Sequence, residues 1–281
     1  MITITTKQEM QQLAKQHKEK GRSIGFVPTM GYLHEGHLTL LKEAKKNNDI
    51  TIMSIFVNPL QFGPSEDFDA YPRNPERDTK LAKEAGVDIL FMPSPENMYN
   101  SEKSIKMTVL NRTDVLCGIN RPGHFDGVVT VLSKLFHITL PDRAYFGLKD
   151  AQQFAVVSGL VEDFDFPLEI VPVETVREST GLAVSSRNVY LTPEERKQAP
   201  ALYKSLQKAE ELLKDGVQDI AAITGKVKDY IRTHMQADID YVELLSFPEL
   251  EQISVPNGKV IVAAAVKFSK ARLIDNIIID V

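Results

Sequence analysis

Short apolar segments alternate with stretches of helical periodicity through the first two-thirds of the chain. The apolar segments predict strands at residues 24–27, 51–57, 88–92, 144–146 and 169–173. The stretches between them predict helices at residues 34–46, 74–85, 127–138 and 151–162. Nearly continuous apolar strands separated by helices are typical of βαβ units, in which helices cover both faces of a parallel sheet. The pattern therefore predicts an α/β fold with a Rossmann-like, doubly wound parallel sheet.

The pattern changes after about Thr192. A long charged helix is predicted at residues 193–215, because Pro193 suits a first helical position and Gly216 suits a helix end. A second helix is predicted at residues 220–235, and strands at 241–245, 259–266 and 273–279, with a turn signal at Asn257-Gly258 between two of them. We therefore predict two domains: a Rossmann-like domain of residues 1–176 and a smaller C-terminal α+β domain of residues 177–281.

Composition narrows the class of protein. Hydrophobic residues make up 43% of the chain and charged residues 25%, which is an ordinary globular mixture. The net charge of -5 argues against a broad nucleic-acid-binding surface, since such surfaces are basic. Cys117 is the single cysteine, so we expect a small, buried or half-buried side chain there. The longest apolar run, residues 260–266, is too short to span a bilayer, and residues 1–10 do not resemble a secretory signal. We expect a cytoplasmic protein that binds neither membrane nor nucleic acid.

The first cluster of candidate chemistry follows the predicted strand at 24–27 and has the sequence Pro-Thr-Met-Gly-Tyr-Leu-His-Glu-Gly-His at residues 28–37. His34 and His37 are three residues apart and share one face of a helix that begins here. A helix N-terminus offers unpaired N–H groups and a partial positive charge, which suit a phosphate group. Gly31 and Gly36 allow the backbone to approach a ligand closely.

The two histidines are also compatible with ordinary surface residues or with half of a metal site. The string lacks the His-Glu-x-x-His spacing of zinc enzymes, and a third ligand is not evident in the sequence, so no metal ligand is assigned. The sequence contains neither a Walker A loop nor a Gly-x-Gly-x-x-Gly fingerprint. The string alone therefore favours a phosphate site only moderately.

Residues 28–37 resemble the HxGH signature of the nucleotidyltransferase superfamily that includes class I aminoacyl-tRNA synthetases, and the longer string resembles the pantothenate synthetase family in particular. Further segments occur in that family's order and at its spacing, at residues 56–63, 71–73, 121–128, 145–153 and 182–188. The resemblance covers essentially the whole chain. It implies an N-terminal domain that binds ATP and pantoate, a C-terminal lid domain, a Mg²⁺ requirement and a homodimer.

The resemblance also implies roles for individual residues. It implies catalytic roles for His37, His34, Lys149 and Arg187, with His37 as the candidate proton donor. The implied ATP-binding residues are Met30, Gly31, His34, Gly36, His37, Gly147, Leu148, Lys149, Asp150, Val176, Val184, Ser185, Ser186 and Arg187. The implied binding residues for pantoate and β-alanine are Gln61, Gln153, Asn58 and Tyr71.

Alternatives remain open where the residues are considered without the resemblance. Lys149 also suits a surface ion pair with Asp150, the serines at 185–186 suit a helix cap, and glutamines are most often surface amides. The chain also departs from the family pattern at Thr180, where an aspartate is usual, at Val184, where a methionine is usual, and at Leu148, where an acidic residue is usual. These departures concern the details of ATP or magnesium contacts.

The function implied is that of an ATP-dependent ligase, which adenylates pantoate and then joins it to β-alanine, giving pantothenate, AMP and pyrophosphate. A nucleotidylyltransferase of the same superfamily, acting on another small acid, is the rival enzyme. A nucleotide-binding regulator without turnover is an alternative of a different class. Two glutamines that follow separate strands favour a second small substrate, and hence an enzyme.

Overall fold

The computed structural model describes residues 1–63, 68–99, 102 and 104–281, and the counts below refer to these residues. The chain forms two compact units. The first consists of Met1–Leu110, Arg121–Leu148 and Val156–Glu174, and the second of Asn111–Asn120, Lys149–Ala155 and Thr175–Val281. A single boundary between residues 176 and 177 stays a prediction.

The described chain contains nine strands and ten α-helices. The strands are β1 Ile2–Ile4, β2 Ile24–Thr29, β3 Ile50–Ile55, β4 Ile89–Phe91, β5 Arg143–Gly147, β6 Glu169–Val173, β7 Asp238–Ser246, β8 Lys259–Lys267 and β9 Arg272–Asp280. The helices are α1 Lys7–Glu19, α2 Glu35–Asn47, α3 Pro75–Glu84, α4 Pro95–Met98, α5 Leu116–Ile119, α6 His124–Thr139, α7 Ala151–Asp163, α8 Pro193–Gln198, α9 Ala201–Lys214 and α10 Ile220–His234. Short 3₁₀ turns occur at Pro59–Gln61, Leu148–Asp150 and Ser186–Tyr190.

The first unit contains a six-stranded parallel sheet in the order β1-β4-β3-β2-β5-β6. Strands β2, β3 and β4 extend the sheet in one direction, and β5 and β6 extend it in the other, so the strand order reverses beside β2. Ligands of such sheets bind beyond the carboxyl ends of the strands at this reversal. The predicted doubly wound parallel sheet is confirmed, and the segment after β2 lies where a ligand is expected.

Helices cover both faces of this sheet. Successive side chains of a strand point to opposite faces. Val27 of β2 packs in a cluster with Leu41 and Ala44 of α2. Its neighbour Phe26 contacts Phe136 of α6 edge-on, with ring centroids 6.4 Å apart. Helix α2 forms because its apolar side chains recur at helical spacing, and it therefore buries one face against the sheet.

The second unit contains the antiparallel sheet β7-β8-β9. Alternate residues of β8 from Val260 to Val266 join a core cluster with α9 and α10. The smaller α+β part of the fold is therefore confirmed. Residues 247–258 connect β7 to β8, so Asn257-Gly258 is not a two-residue hairpin. Gly258 still adopts the left-handed conformation, with φ of 67°.

The single long helix predicted at residues 193–215 is wrong. The structure has two helices there, α8 and α9, separated at Ala199 and Pro200. Proline has no N–H, so Pro200 cannot donate the hydrogen bond that a continuous helix requires. The capping box at the start of α8, between Thr192 and Glu195, agrees with the predicted helix start.

Two elements near the N-terminus were not predicted. Strand β1 has three residues, of which only Ile4 is buried, so it leaves little hydrophobic signal. Helix α1 is rich in polar residues and buries Met10 and Ala14. Its start is marked by Thr6, whose hydroxyl accepts the Glu9 N–H at 3.4 Å. Both elements therefore carry a weak hydrophobic signal, and the local signal for α1 is limited to its cap.

Candidate active site

In the segment after β2, four consecutive backbone N–H groups each donate a hydrogen bond to a side chain. The N–H of Gly31 donates to Thr29 Oγ1 at 3.2 Å. The N–H groups of Tyr32 and Leu33 donate to the two carboxylate oxygens of Asp78, at 2.7 and 2.8 Å. The N–H of His34 donates to His37 Nδ1 at 3.3 Å. Asp78 was not predicted, because it lies in the first turn of α3, 46 positions from Tyr32 along the chain.

His34 and His37 lie together at the start of α2. His34 is the N-cap residue of the helix, and the two imidazole rings stack with centroids 3.9 Å apart. Because His37 Nδ1 accepts the His34 N–H, the proton of a neutral His37 ring is on Nε2. The pair therefore offers an imidazole donor at the partly positive end of a helix, as a phosphate site requires.

Two of the amides predicted to bind pantoate, Asn58 and Gln61, come together beside Met30. Asn58 and Gln61 are buried, and Asn58 Nδ2 donates to Gln61 Oε1 at 3.1 Å. Gln61 Nε2 lies 3.1 Å from the sulfur of Met30. The structure therefore brings Met30, Asn58 and Gln61 into one contact network, which the sequence analysis had linked only through the family resemblance.

The Tyr99 hydroxyl donates to Asn58 Oδ1 at 2.7 Å, and burial raises the pKa of Tyr99. A phenol with a raised pKa stays protonated, so it stays a donor to this amide. The Asn58 side chain is fixed on its other side as well, because its Nδ2 also donates to the carbonyl of Gly127 at 3.0 Å. Tyr99 was not predicted, and no local pattern marks it.

The backbone of Gln61 is held by the segment at residues 121–128. His124 is buried at the start of α6, with Nδ1 at 2.7 Å from the Gln61 carbonyl oxygen. Arg121 reaches the same oxygen with Nη2 at 3.4 Å and lies 3.1 Å from His124 Nε2 with Nη1. The structure shows that His124 contacts the Gln61 backbone directly.

Tyr71 is also in the first unit, and it is buried with its ring 6.0 Å from that of Phe62. Gln153, the other predicted pantoate residue, lies half-buried in the first turn of α7 and belongs to the second unit. Gly147 and Leu148 end the part of the first unit that contains β5.

In the second unit, Lys149 and Asp150 lie in a 3₁₀ turn that precedes α7. Lys149 Nζ is 3.7 Å from Asp150 Oδ2, and the lysine side chain is only 19% exposed, while that of Asp150 is 53% exposed. Asn276 of β9 donates to the Lys149 carbonyl at 3.0 Å. The ion pair proposed as the alternative for Lys149 is therefore present, but the lysine is more buried than a surface residue would be.

The segment that precedes Arg187 pairs with residues 176–178 in a short antiparallel ladder. The Val184 N–H donates to the Val176 carbonyl at 2.9 Å. The Ser185 hydroxyl then accepts the Arg187 N–H at 3.3 Å and caps the 3₁₀ turn at Ser186–Tyr190. Ser185 therefore has the capping role considered as an alternative, and its cap fixes the backbone of Arg187.

A buried ion pair anchors this ladder. Arg177 makes two bonds to the Asp275 carboxylate, at 2.6 and 2.9 Å, and also donates to the carbonyl of Gly181 at 3.2 Å. Thr180 accepts the Leu182 N–H at 3.5 Å, so the departure from aspartate at this position keeps a turn-stabilising oxygen.

Cys117 is buried in the second unit, as predicted, with its sulfur 3.3 Å from the Tyr241 hydroxyl. Within the described ranges, no group of three His, Cys, Asp or Glu side chains is placed to hold a metal ion. No helix of the described chain is both long and apolar enough to cross a membrane.

Comparisons with known proteins agree with this geometry. A family model described as Pantoate-beta-alanine ligase matches residues 2–278. The pantothenate synthetase of Geobacillus sp. (strain WCH70) is 60% identical over 281 residues, which cover 100% of both chains. A solved pantothenate synthetase from Thermus thermophilus has a TM-score of 0.93 and 44% identity, and 99% of each chain is covered. The ligase of Francisella tularensis, complexed with beta-gamma ATP and beta-alanine, has a TM-score of 0.79 and 34% identity, with 99% of this chain and 97% of that chain covered.

Proposed function

The chain belongs to the pantoate–β-alanine ligase family, and we propose that it condenses (R)-pantoate with β-alanine in an ATP-dependent reaction through a pantoyl-adenylate intermediate. The observation that carries this proposal is similarity over the full length of the chain, with the histidine segment at residues 28–37 intact. ATP and β-alanine are the ligands of the Francisella relative, and they are the substrates we propose here.

In the first step, a pantoate carboxylate oxygen attacks the α-phosphorus of ATP. A new oxygen–phosphorus bond forms, and the bond to the leaving pyrophosphate breaks. Negative charge shifts among phosphate oxygens during this step, so fixed donors accelerate it by electrostatic stabilisation and positioning. We propose that His34 and His37 supply such donors, and that His37 Nε2–H donates to a phosphate oxygen. Lys149 and Arg187 are proposed to supply fixed positive charge to ATP phosphates.

Pantoate binding falls to the amide network of Asn58 and Gln61, together with Tyr71 and Gln153. Neutral amides can orient a carboxylate without forming a strong ion pair, so the carboxylate stays nucleophilic. Gln61 Nε2 contacts only a thioether sulfur among the hydrogen bonds described above. Thioether sulfur is a weak acceptor, so a pantoate oxygen would replace this contact with a stronger bond.

In the second step, the amine of β-alanine attacks the acyl carbon of pantoyl adenylate. The new amide bond forms, the bond from the acyl carbon to the phosphate oxygen breaks, and AMP leaves with its electron pair. The amine releases one proton to solvent water as the amide forms. This sequence requires no covalent bond between the chain and its substrates, so the enzyme acts by holding the reactants in the correct orientation.

Three further properties complete the proposal. We propose that Mg²⁺ enters as the complex with ATP, because magnesium is bound mainly through substrate phosphates in many nucleotide enzymes. We propose a homodimer and a cytoplasmic location, which follow from the family resemblance. Light scattering on the purified protein tests the first of these two, since it gives the mass of the assembly directly.

The decisive experiment measures pyrophosphate and AMP release from ATP, Mg²⁺ and pantoate, with and without β-alanine. Sustained AMP formation that requires both pantoate and β-alanine is expected. Pyrophosphate release that does not depend on β-alanine would retain adenylation and reopen the identity of the acceptor. Absence of release with pantoate would overturn the proposal and favour a nucleotidylyltransferase or a regulator.

A further inference from the structure

Asp78 is a carboxylate that the reaction described above does not use. It lies in the first turn of α3 and is 1% exposed. Burial of a carboxylate is unfavourable unless hydrogen bonds or charges compensate for the lost water. Both of its oxygens accept backbone N–H groups of the segment after β2, from Tyr32 at 2.7 Å and Leu33 at 2.8 Å. Hydrogen bonds to an ionised acceptor are about twice as strong as neutral ones.

The segment that Asp78 holds has an unusual backbone. Gly31 has φ of 87° and Tyr32 has φ of 50°, both in the left-handed region. A tyrosine in this region is uncommon, and such a conformation persists only where the surroundings enforce it. Asp78 binds the N–H of Tyr32 itself, so it stabilises the strained residue directly.

Arg77 adds a second constraint. Its guanidinium lies 5.1 Å from the centroid of the Tyr32 ring, and its Nη1 lies 3.5 Å from Asp78 Oδ1. The side chain and the backbone of Tyr32 are therefore both held by the first turn of α3. His34, the N-cap residue of α2, follows Leu33 directly in the chain.

We propose that Asp78 is a positioning residue for the adenylation step, which acts through the backbone of residues 32–33 to place His34 and His37. This inference rests on the function proposed above. Asp78 touches no reacting atom in this scheme. Its contribution is to hold the turn that sets the starting direction of α2 and the stacked pair of imidazoles.

Asp78→Asn is the sharpest variant, because it keeps size and shape but replaces one acceptor oxygen with an N–H donor. One of the two backbone N–H groups then loses its acceptor and faces another N–H. The matched control is Asp88→Asn. Asp88 Oδ2 accepts the N–H of Thr51 at 2.9 Å, a bond of the same type in the same unit. Thr51 lies at the start of β3, whereas Asn58 follows the other end of this strand.

The measurement is a double-mutant cycle in ATP affinity, determined by calorimetry for the parent protein, Asp78→Asn, His37→Ala and the double variant. We expect Asp78→Asn to weaken ATP binding on the order of tenfold in the parent and by about threefold or less when His37 is absent, because residues that act as a unit are non-additive and only the contribution through His34 then remains. We expect Asp88→Asn to change affinity by less than twofold. Equal weakening by Asp78→Asn in both backgrounds, or no weakening in the parent, would overturn the proposal.

A second measurement covers the case in which Asp78→Asn does not fold. Hydrogen exchange by NMR on the unmodified protein reports the amides of Tyr32 and Leu33 directly. We expect both to be protected although they lie outside helices and strands, and rapid exchange at both would overturn the proposal. If the unmodified protein forms no pantothenate, the proposed function is refuted instead. The exchange result would still report whether Asp78 holds the turn.

Discussion

Gly127 of α6 lies where the helix touches the segment that carries Gln61. A methyl group added to Gly127 would lie 2.3 Å from the carbonyl oxygen of Leu60, 2.4 Å from its carbonyl carbon and 2.6 Å from the backbone nitrogen of Gln61. Ordinary contacts between such atoms begin at about 3.5 Å. The change Gly127→Ala therefore forces the helix and the Leu60–Gln61 backbone apart by about 1 Å.

The displaced atoms are backbone atoms, so rotation of a side chain cannot relieve the contact. The same separation stretches the 3.0 Å bond between Asn58 Nδ2 and the Gly127 carbonyl. Alanine is favoured over glycine in a helix by about 1 kcal/mol, but overpacking typically costs about 1–3 kcal/mol. A misplacement of about 1 Å in a binding residue can lower turnover about a hundredfold. We expect kcat/KM for pantoate to fall about tenfold to a hundredfold, with little gain or a loss of stability.

The assay is steady-state pyrophosphate release with pantoate varied at saturating ATP, together with the midpoint of thermal unfolding. Gly225→Ala is the matched control, because Gly225 lies inside α10 and a methyl group there meets no atom within 4 Å. We expect that control to stabilise the protein by up to about 1 kcal/mol and to leave the kinetics unchanged. An unchanged kcat/KM for pantoate in Gly127→Ala would refute the reasoning.

Three further outcomes are expected. His37→Ala should lower pyrophosphate release about a hundredfold or more, because one preorganised donor to a developing charge is removed, while the unfolding midpoint changes little; wild-type turnover would show that His37 has no such role. Asp275→Ala should destabilise the second unit by about 3–5 kcal/mol in urea unfolding, since Arg177 loses both oxygens of a buried ion pair. Hydrogen bonds from Ser269 lower the pKa of Glu195 from 4.5 to about 2. Glu195 therefore stabilises the fold fully above pH 4.5, and the difference in melting temperature from Glu195→Gln should shrink as pH falls toward 2; a pH-independent difference would contradict this.

Local sequence signals predicted most of the first sheet. Strands β2, β3 and β5 are buried over most of their length and are therefore rich in apolar residues, which predicts a buried strand. The edge strand β6 buries only Val173, but Ile170 and Val171 are also apolar and gave the same signal. The prediction failed where the signal was weak or was overlooked. The overlooked signal is Pro200, which lies in a region of strong helical periodicity. The break between α8 and α9 at this residue follows from the missing N–H of proline alone.

For the candidate site, the positions of the residues could be predicted from the sequence more readily than their roles. Residues 30–37 follow strand β2, and the segment that contains Asn58 and Gln61 follows strand β3, so their place at the carboxyl edge of a parallel sheet was predictable. Their individual roles in the sequence analysis came from the family resemblance. Spacing alone left metal, surface and phosphate interpretations open for His34 and His37.

The supporting residues were not predictable, for a physical reason. Asp78 holds Tyr32 across 46 positions of sequence, and Tyr99 holds Asn58 across 41. A carboxylate in the first turn of a helix has an ordinary local explanation, since it suits the positive end of the helix dipole. Only the fold shows that this carboxylate is buried and that its two oxygens hold a strained turn beside the histidines. Local patterns therefore identify residues that face a ligand more readily than residues that hold them in place, because the second group is defined by contacts between distant parts of the chain.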